Sequence, residues 1–300
     1  MWEKKGVIFC ADNNYEWMKT HASLPFADKI SDNEYRIYFS TRDSNNRSSI
    51  GYLEIDINNP KQILKLSNHP VLSVGSLGSF DENGVMGSCI VSHKGKKYLY
   101  YIGWNVGVTV PFRWSIGLAI SNDGGETFTK YSNGPILDRN PIDPYLVSSP
   151  TVIFDDNKWK MWYVSALRWE MHNDKLRAPY HIRYAESSDG INWNRTGIVA
   201  IDFKHIGEFA IGRASVLKDN NLYKMWYSYS TGKYRIGYAE SEDGLHWERK
   251  DDEAGIDVSE SGWDSEMIEH TNIFVHNNRK YMLYTGNQYG KTGFGYAILN

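Results

Sequence analysis

The chain of 300 residues is 41% hydrophobic and 23% charged, which excludes a disordered, collagen-like or coiled-coil protein and fits one large all-β or α/β unit. Its 33 Lys and Arg against 36 Asp and Glu leave a formal charge of −3, so nothing global draws it to nucleic acid or an anionic membrane, and the expected partner is small or neutral. Two cysteines, Cys10 and Cys89, can build neither a disulfide framework nor a four-cysteine metal site.

From Met1 to Ala11 the sequence holds only a four-residue apolar run, too short for a secretory signal, and no later stretch approaches the roughly 18 apolar residues of a spanning helix. A cytoplasmic setting is therefore expected. Beyond this segment an aromatic strand recurs as Tyr35-Arg-Ile-Tyr-Phe, Tyr98-Leu-Tyr-Tyr-Ile, Trp159-Lys-Met-Trp-Tyr, Tyr223-Lys-Met-Trp-Tyr and Tyr281-Met-Leu-Tyr-Thr. A second strand keeps step with it: Ser49-Ile-Gly-Tyr-Leu, Ser115-Ile-Gly-Leu-Ala, His181-Ile-Arg-Tyr-Ala, Arg235-Ile-Gly-Tyr-Ala and Gly293-Phe-Gly-Tyr-Ala. Shorter β-rich segments ending in polar turns precede most aromatic strands, as in Pro150-Thr-Val-Ile-Phe-Asp-Asp-Asn, and mark tight hairpins. Three units continue into Ser121-Asn-Asp-Gly, Ser187-Ser-Asp-Gly and Ser241-Glu-Asp-Gly turns, each leading into a fourth strand.

Each unit thus reads as a four-stranded antiparallel meander. Five such sheets without helical periodicity can bury their faces and remove their edges by packing radially, so the expectation is an all-β, five-bladed β-propeller occupying residues 1–300 as one domain. The surplus residues fall in loops, the longest running from Asn105 to Trp114 and from Trp169 to Tyr180.

In a meander the strand 1–2 and 3–4 turns share one end, which assigns the Ser-x-Asp-Gly turns there as structural. The opposite end collects the lead-in to each first strand and the strand 2–3 loops. Every lead-in carries a carboxylate: Glu16, Asp81, Asp143, Glu208, and Glu266 or Glu269. Acids crowded around an axis divide into protonated and ionised members, as glycoside hydrolysis requires. Trp104 and Trp169 in the strand 2–3 loops suit stacking on a sugar ring, and Arg42 and Arg213 suit hydroxyls or neighbouring carboxylates. His21 and His270 stand where they could meet a ligand.

On this repeat, which spans essentially the whole chain, the sequence resembles the five-bladed β-propeller glycosidases, the arabinanase, levansucrase and invertase-like superfamily that includes glycoside hydrolase families 43, 32 and 68. The resemblance implies a catalytic set of three lead-in acids. Asp81 would be the base or nucleophile, Asp143 the auxiliary acid and Glu208 the proton donor. The positions in the repeat, independently of the resemblance, give as the expected substrate-binding set His21, Arg42, Trp104, Trp169, Arg213, Glu269 and His270. The Ser121-x-Asp-x-Gly-x-x-Phe turn also resembles the Asp box of sialidases, a device that stabilises turns.

The expected function is that of a glycoside hydrolase-like enzyme acting on an oligosaccharide or glycoconjugate. The alternative is a propeller that binds carbohydrate or a nucleotide sugar without cleaving it. No phosphate-cradling glycine loop, metal-ligand spacing or nucleophile elbow occurs in a supporting context, so no organic cofactor is expected, and no nucleic-acid or membrane partner. Converging oxygens on the axis would suit a structural cation.

Overall fold

A computed structural model describes residues 1–172 and 174–299. The chain begins with strand β1 (Trp2–Phe9) and then builds meanders in order. The first contains β2 (Thr20–Lys29), β3 (Glu34–Arg42), β4 (Ser48–Asp56) and β5 (Ile63–Leu66). The second contains β6 (Gly84–His93), β7 (Lys96–Val106), β8 (Phe112–Ser121) and β9 (Thr129–Lys130). In the third, β10 (Val147–Asp155) and β11 (Lys158–Ala166) are followed by a small hairpin, β12 (Glu170–His172) and β13 (Lys175–Arg177), before β14 (Tyr180–Ser187) and β15 (Asn194–Ile201). The fourth contains β16 (Ala210–Asp219), β17 (Leu222–Ser230), β18 (Tyr234–Ser241) and β19 (Glu248–Arg249). The last contains β20 (Glu269–His276), β21 (Arg279–Thr285) and β22 (Phe294–Leu299). Among the described residues no helix is long and apolar enough to cross a membrane.

The fourth strand of the last meander is β1, which pairs antiparallel with β22 from Trp2↔Leu299 to Phe9↔Phe294. The two ends of the chain therefore complete one sheet, a closure that repeat spacing alone does not reveal. The remaining meanders form two eight-stranded sheets, because single parallel pairs, Ser48↔Gly84 and Tyr180↔Ala210, join the first meander to the second and the third to the fourth.

Apolar clusters lie between successive meanders, and one of them packs Phe294, Tyr296 and Leu283 of the last against Tyr35, Ile37 and Phe39 of the first. The aromatic excess is spent here. Each buried ring removes about 150–250 Å² from water, an upper estimate of roughly 4–6 kcal/mol before conformational entropy is counted.

Pairing register sharpens the repeat. Phe39, Tyr101, Tyr163, Tyr227 and Tyr284 oppose Gly51, Gly117, Arg183, Gly237 and Gly295. They are equivalent, so the aromatic runs at Tyr98 and Tyr281 sit one residue out of step with the others. The glycines make room: a Cβ at Gly117 would lie 2.2 Å from the Tyr101 ring and one at Gly237 2.6 Å from that of Tyr227.

The Ser-x-Asp-Gly turns are interlocks, as their structural assignment anticipates. Asp189 accepts backbone N–H bonds from Ile191 and Asn192 at 2.8 Å, and the carbonyls of Gly125, Gly190 and Gly244 accept from Tyr38, Tyr100 and Trp162 of the preceding meander at 2.8–2.9 Å.

Candidate active site

Every inner strand breaks register near its start: β2 at Thr20/Ser23 and Ser23/Phe26, β6 at Gly87/Cys89, β10 at Ser148/Thr151, β16 at Gly212/Ser215 and β20 at Glu269/Asn272. Such bulges turn side chains that a regular strand would bury in the sheet. On four of the five strands the last of these bulges holds a left-handed non-glycine residue: Leu24 (φ 50°), Ser149 (φ 46°), Arg213 (φ 40°) and His270 (φ 56°). Each costs about 1–3 kcal/mol and is retained only where the surroundings enforce it, commonly at functional sites.

All four of these residues border a cavity of about 400 Å³ at this end of the meanders. Phe112, Trp114, Tyr180, Phe209, Tyr234 and Tyr289 give it an aromatic wall. Tyr289 is carried there by a tight turn with Gln288 and Tyr289 both left-handed (φ 54° and 59°). The hydroxyls of Tyr180 and Tyr234 hydrogen-bond to each other. A narrower space of about 190 Å³ lies between the inner strands, and Arg213 borders both.

The polar residues of the wall are poorly satisfied. Glu269 is 1% exposed and Arg213 2%, yet Glu269 Oε1, Arg213 Nη1, His270 Nδ1 and Ser148 Oγ have no hydrogen-bond partner in the protein. Buried polar groups are almost always paired, so four orphans on one cavity wall leave bonding capacity that water or a ligand in the cavity can complete. Burial, opposed only by the charge of Arg213, pushes the Glu269 carboxyl well above the usual carboxylate range. Burial and the same guanidinium hold His270, whose Nε2 lies 3.3 Å from Glu269 Oε2, well below the usual imidazole range. Burial lowers Arg213 to about 10, which leaves it cationic at neutral pH.

Four of the residues expected from sequence meet at this cavity: Arg42, Arg213, Glu269 and His270. The three expected catalytic acids do not, and their placement corrects that assignment. Asp143 is fully buried, accepting from Tyr163 at 2.9 Å and Ser165 at 2.7 Å, with Arg183 and Arg195 at 3.1 and 3.0 Å. Asp81, 1% exposed, accepts from Tyr101 at 3.1 Å, Ser79 at 2.8 Å and Lys130 at 2.6 Å. Asp264, in the corresponding lead-in of the last meander, accepts from Tyr284 at 3.0 Å and Lys4 at 2.8 Å. These acids point into their own sheet, tying the lead-in to the second strand and to a cation from an outer strand.

Glu208 is held by Arg249 at 2.6 and 2.9 Å. Burial alone would raise its pKa, but the Arg249 hydrogen bonds and charge, together with backbone hydrogen bonds from Lys204 and His205, outweigh burial and keep it below the usual range, the opposite of a proton donor's need. His205, Glu208 and Asp251 lie close enough to hold a cation, but the Arg249 guanidinium already bridges the two carboxylates.

Neither expected tryptophan lines the cavity. Trp104 donates to Ser48 Oγ at 2.9 Å and fastens the second meander to the first; Trp169 packs edge-on against Phe112, behind the wall. His21 hydrogen-bonds Thr20 beside the cavity, where burial, Arg42 and Lys291 lower it to about 4. The residues missed from sequence are Phe112, Trp114, Arg177, Tyr180 and Tyr234, which come from the starts of third strands and from the β12–β13 hairpin. The only signal for the first four was the unusual length of the Asn105–Trp114 and Trp169–Tyr180 loops, and Tyr234 had none; Asn173 of the second loop lies outside the described residues.

The chain is 42% identical over 298 residues to "Uncharacterized protein Rv1502" of Mycobacterium tuberculosis (strain ATCC 25618 / H37Rv), covering 99% of both chains. The same identity and coverage hold for "Uncharacterized protein MT1551" of Mycobacterium tuberculosis (strain CDC 1551 / Oshkosh). The chain belongs to their family. No family model matches this sequence.

Among solved structures, a thermostable family-43 glycoside hydrolase superposes with a TM-score of 0.70 at 18% identity, over 96% of this chain and 90% of that one. A glycosyl hydrolase from Bacteroides ovatus gives 0.73 at 14%, over 100% and 93%. A member of glycoside hydrolase family 130, described as mannoside phosphorylases that include hydrolases of β-1,2 mannosidic linkages in Candida mannan, gives 0.72 at 16%, over 100% and 94%. The family of this chain therefore has the β-propeller fold of these glycoside hydrolases.

Proposed function

We propose that the five meanders are the blades of a five-bladed propeller and that the family acts on glycans in the axial cavity, as a glycoside hydrolase-like enzyme. The observation that carries this reading is Glu269, a buried carboxyl on the cavity wall whose surroundings favour its protonated form. A carboxylic acid kept neutral at neutral pH can protonate a leaving glycosidic oxygen. Aromatic rings stack on the apolar face of the sugar, and the unpaired groups of Arg213, His270 and Ser148 meet its oxygens. The protein's likeness in fold to glycoside hydrolases supports this reading. Free Cys10 and Cys89 support a reducing, cytoplasmic setting.

Glu269 is the one carboxylate on the cavity wall among the described residues, whereas most glycosidases use two. That observation favours the second reading, a propeller that binds a glycan without cleaving it. Reducing-end release from an oligosaccharide panel by the protein and by Glu269→Gln decides between them. Hydrolysis lost in Glu269→Gln supports the enzyme; binding with no release by either protein supports the binder; equal release by both contradicts the role given to Glu269.

A further inference from the structure

Among the described residues, eight of the thirteen arginines make an ion pair with a carboxylate. Three of the other five, Arg42, Arg177 and Arg213, line the axial cavity. They reach it from different parts of the fold: the end of β3, the β12–β13 hairpin and the bulge of β16. Arg42 donates to the neutral Asn46 amide at 2.6 Å, and the one hydrogen bond of the Arg213 side chain runs to the Pro25 carbonyl at 3.4 Å. The cavity thus concentrates positive charge that no carboxylate contacts directly: its single acid, Glu269, acts on Arg213 only through space and is within ion-pair distance of His270 but of none of the three guanidiniums.

A guanidinium that is 2% exposed, with one nitrogen unbonded, has given up water without receiving an anion in return. Its planar fork matches carboxylate and phosphate oxygens. Of the other three orphans, Ser148 Oγ and His270 Nδ1 can donate, and the Glu269 carboxyl can do so in its protonated form, so the wall presents donors and calls for acceptors.

We propose that the ligand of this cavity is an acidic sugar, one bearing a carboxylate or phosphate group, and that Arg213, with Arg42 and Arg177, binds that group. This deepens the glycan reading and rests on it. The charge is set by the cavity, not by the molecule as a whole, whose net charge is −3.

The test is calorimetric binding of glucuronate, glucose 1-phosphate, glucose and inorganic phosphate to the full chain and to Arg177→Gln, Arg213→Gln and Arg213→Lys. Arg177 is exposed on a hairpin, so its substitution leaves the core untouched if Arg213 variants fail to fold. At least one acidic sugar is expected to bind tenfold or more tighter than glucose, with most of that preference lost in Arg177→Gln and Arg213→Gln and part of it kept in Arg213→Lys. Preference for glucuronate assigns a carboxylate; preference for glucose 1-phosphate, with competition by inorganic phosphate, assigns a phosphate. Glucose binding as tightly as both acids, a preference unaltered by the arginine variants, or no binding of any of the four overturns the inference. Glucose binding without acid preference would do so while leaving the glycan reading standing, and the hydrolysis assay with Glu269→Gln judges that reading separately.

Discussion

Asp143 and Glu269 are both buried carboxyls near the start of an inner strand, and their partners give them opposite work. Asp143 faces two arginines, so its charge is needed for the fold. Removing one partner from a buried ion network costs about 3–5 kcal/mol. Asp143→Asn is accordingly expected to lower urea-unfolding stability by that order, and an unchanged midpoint would contradict the structural role. Glu269 feels the charge of Arg213 without forming an ion pair with it, and burial favours its protonated form. Its folded pKa lies above the unfolded value of 4.5, so the native state binds the extra proton and stability falls as pH rises from about 4.5 towards the folded pKa. His270, displaced downwards, makes the unfolded state the proton binder below 6.5, so its contribution rises with pH and is complete above that value. Parent and Glu269→Gln share His270, so their unfolding compared at pH 4.5 and pH 8.5 should show the variant gaining stability relative to the parent at the higher pH; a pH-independent difference would contradict the shifted carboxyl.

At the scale of elements, the aromatic second strand and the Ser-x-Asp-Gly turn form one joint. Tyr38, Tyr100 and Trp162 reach across to the Gly125, Gly190 and Gly244 carbonyls of the next meander. Tyr100→Phe removes one such bond and is expected to cost about 0.5–1.5 kcal/mol in chemical unfolding. Gly190→Ala should cost more, because Gly190 is left-handed (φ 75°) and a Cβ there would lie 2.8 Å from the Tyr100 hydroxyl. A Gly190→Ala protein as stable as Tyr100→Phe would contradict the joint.

These strands and turns were legible because their signals are local: an aromatic run, an Ile-Gly pair, a polar turn. The direction of the lead-in acids was not. Asp81, Asp143 and Asp264 each precede by 20 residues the tyrosine that binds them, a spacing visible in sequence but meaningful only once Tyr101, Tyr163 and Tyr284 are known to point into the sheet. Arg213 and Glu269 lie at bulges and line the cavity. Trp114, Tyr180 and Tyr234 begin third strands, positions that periodicity does not distinguish from ordinary packing.

At the scale of the molecule, the ring is held shut by β1 on β22 and by the cluster joining the last meander to the first. Deleting residues 2–9 would bare the β22 edge and part of two apolar clusters, and a truncated chain is expected to aggregate or unfold at lower temperature; light scattering and thermal melting indistinguishable from the parent would contradict the closure. The same ring brings the starts of the inner strands together, so one end of the molecule carries the cavity while the interlocking turns hold the other. That cavity is where the account places the sugar. A crystal structure soaked with glucuronate or glucose 1-phosphate tests the placement most directly. Ligand density is expected within hydrogen-bonding distance of Glu269 and Arg213; density confined to the Asp81 or Asp143 lead-ins or to the turn end, with an empty cavity, would contradict that placement.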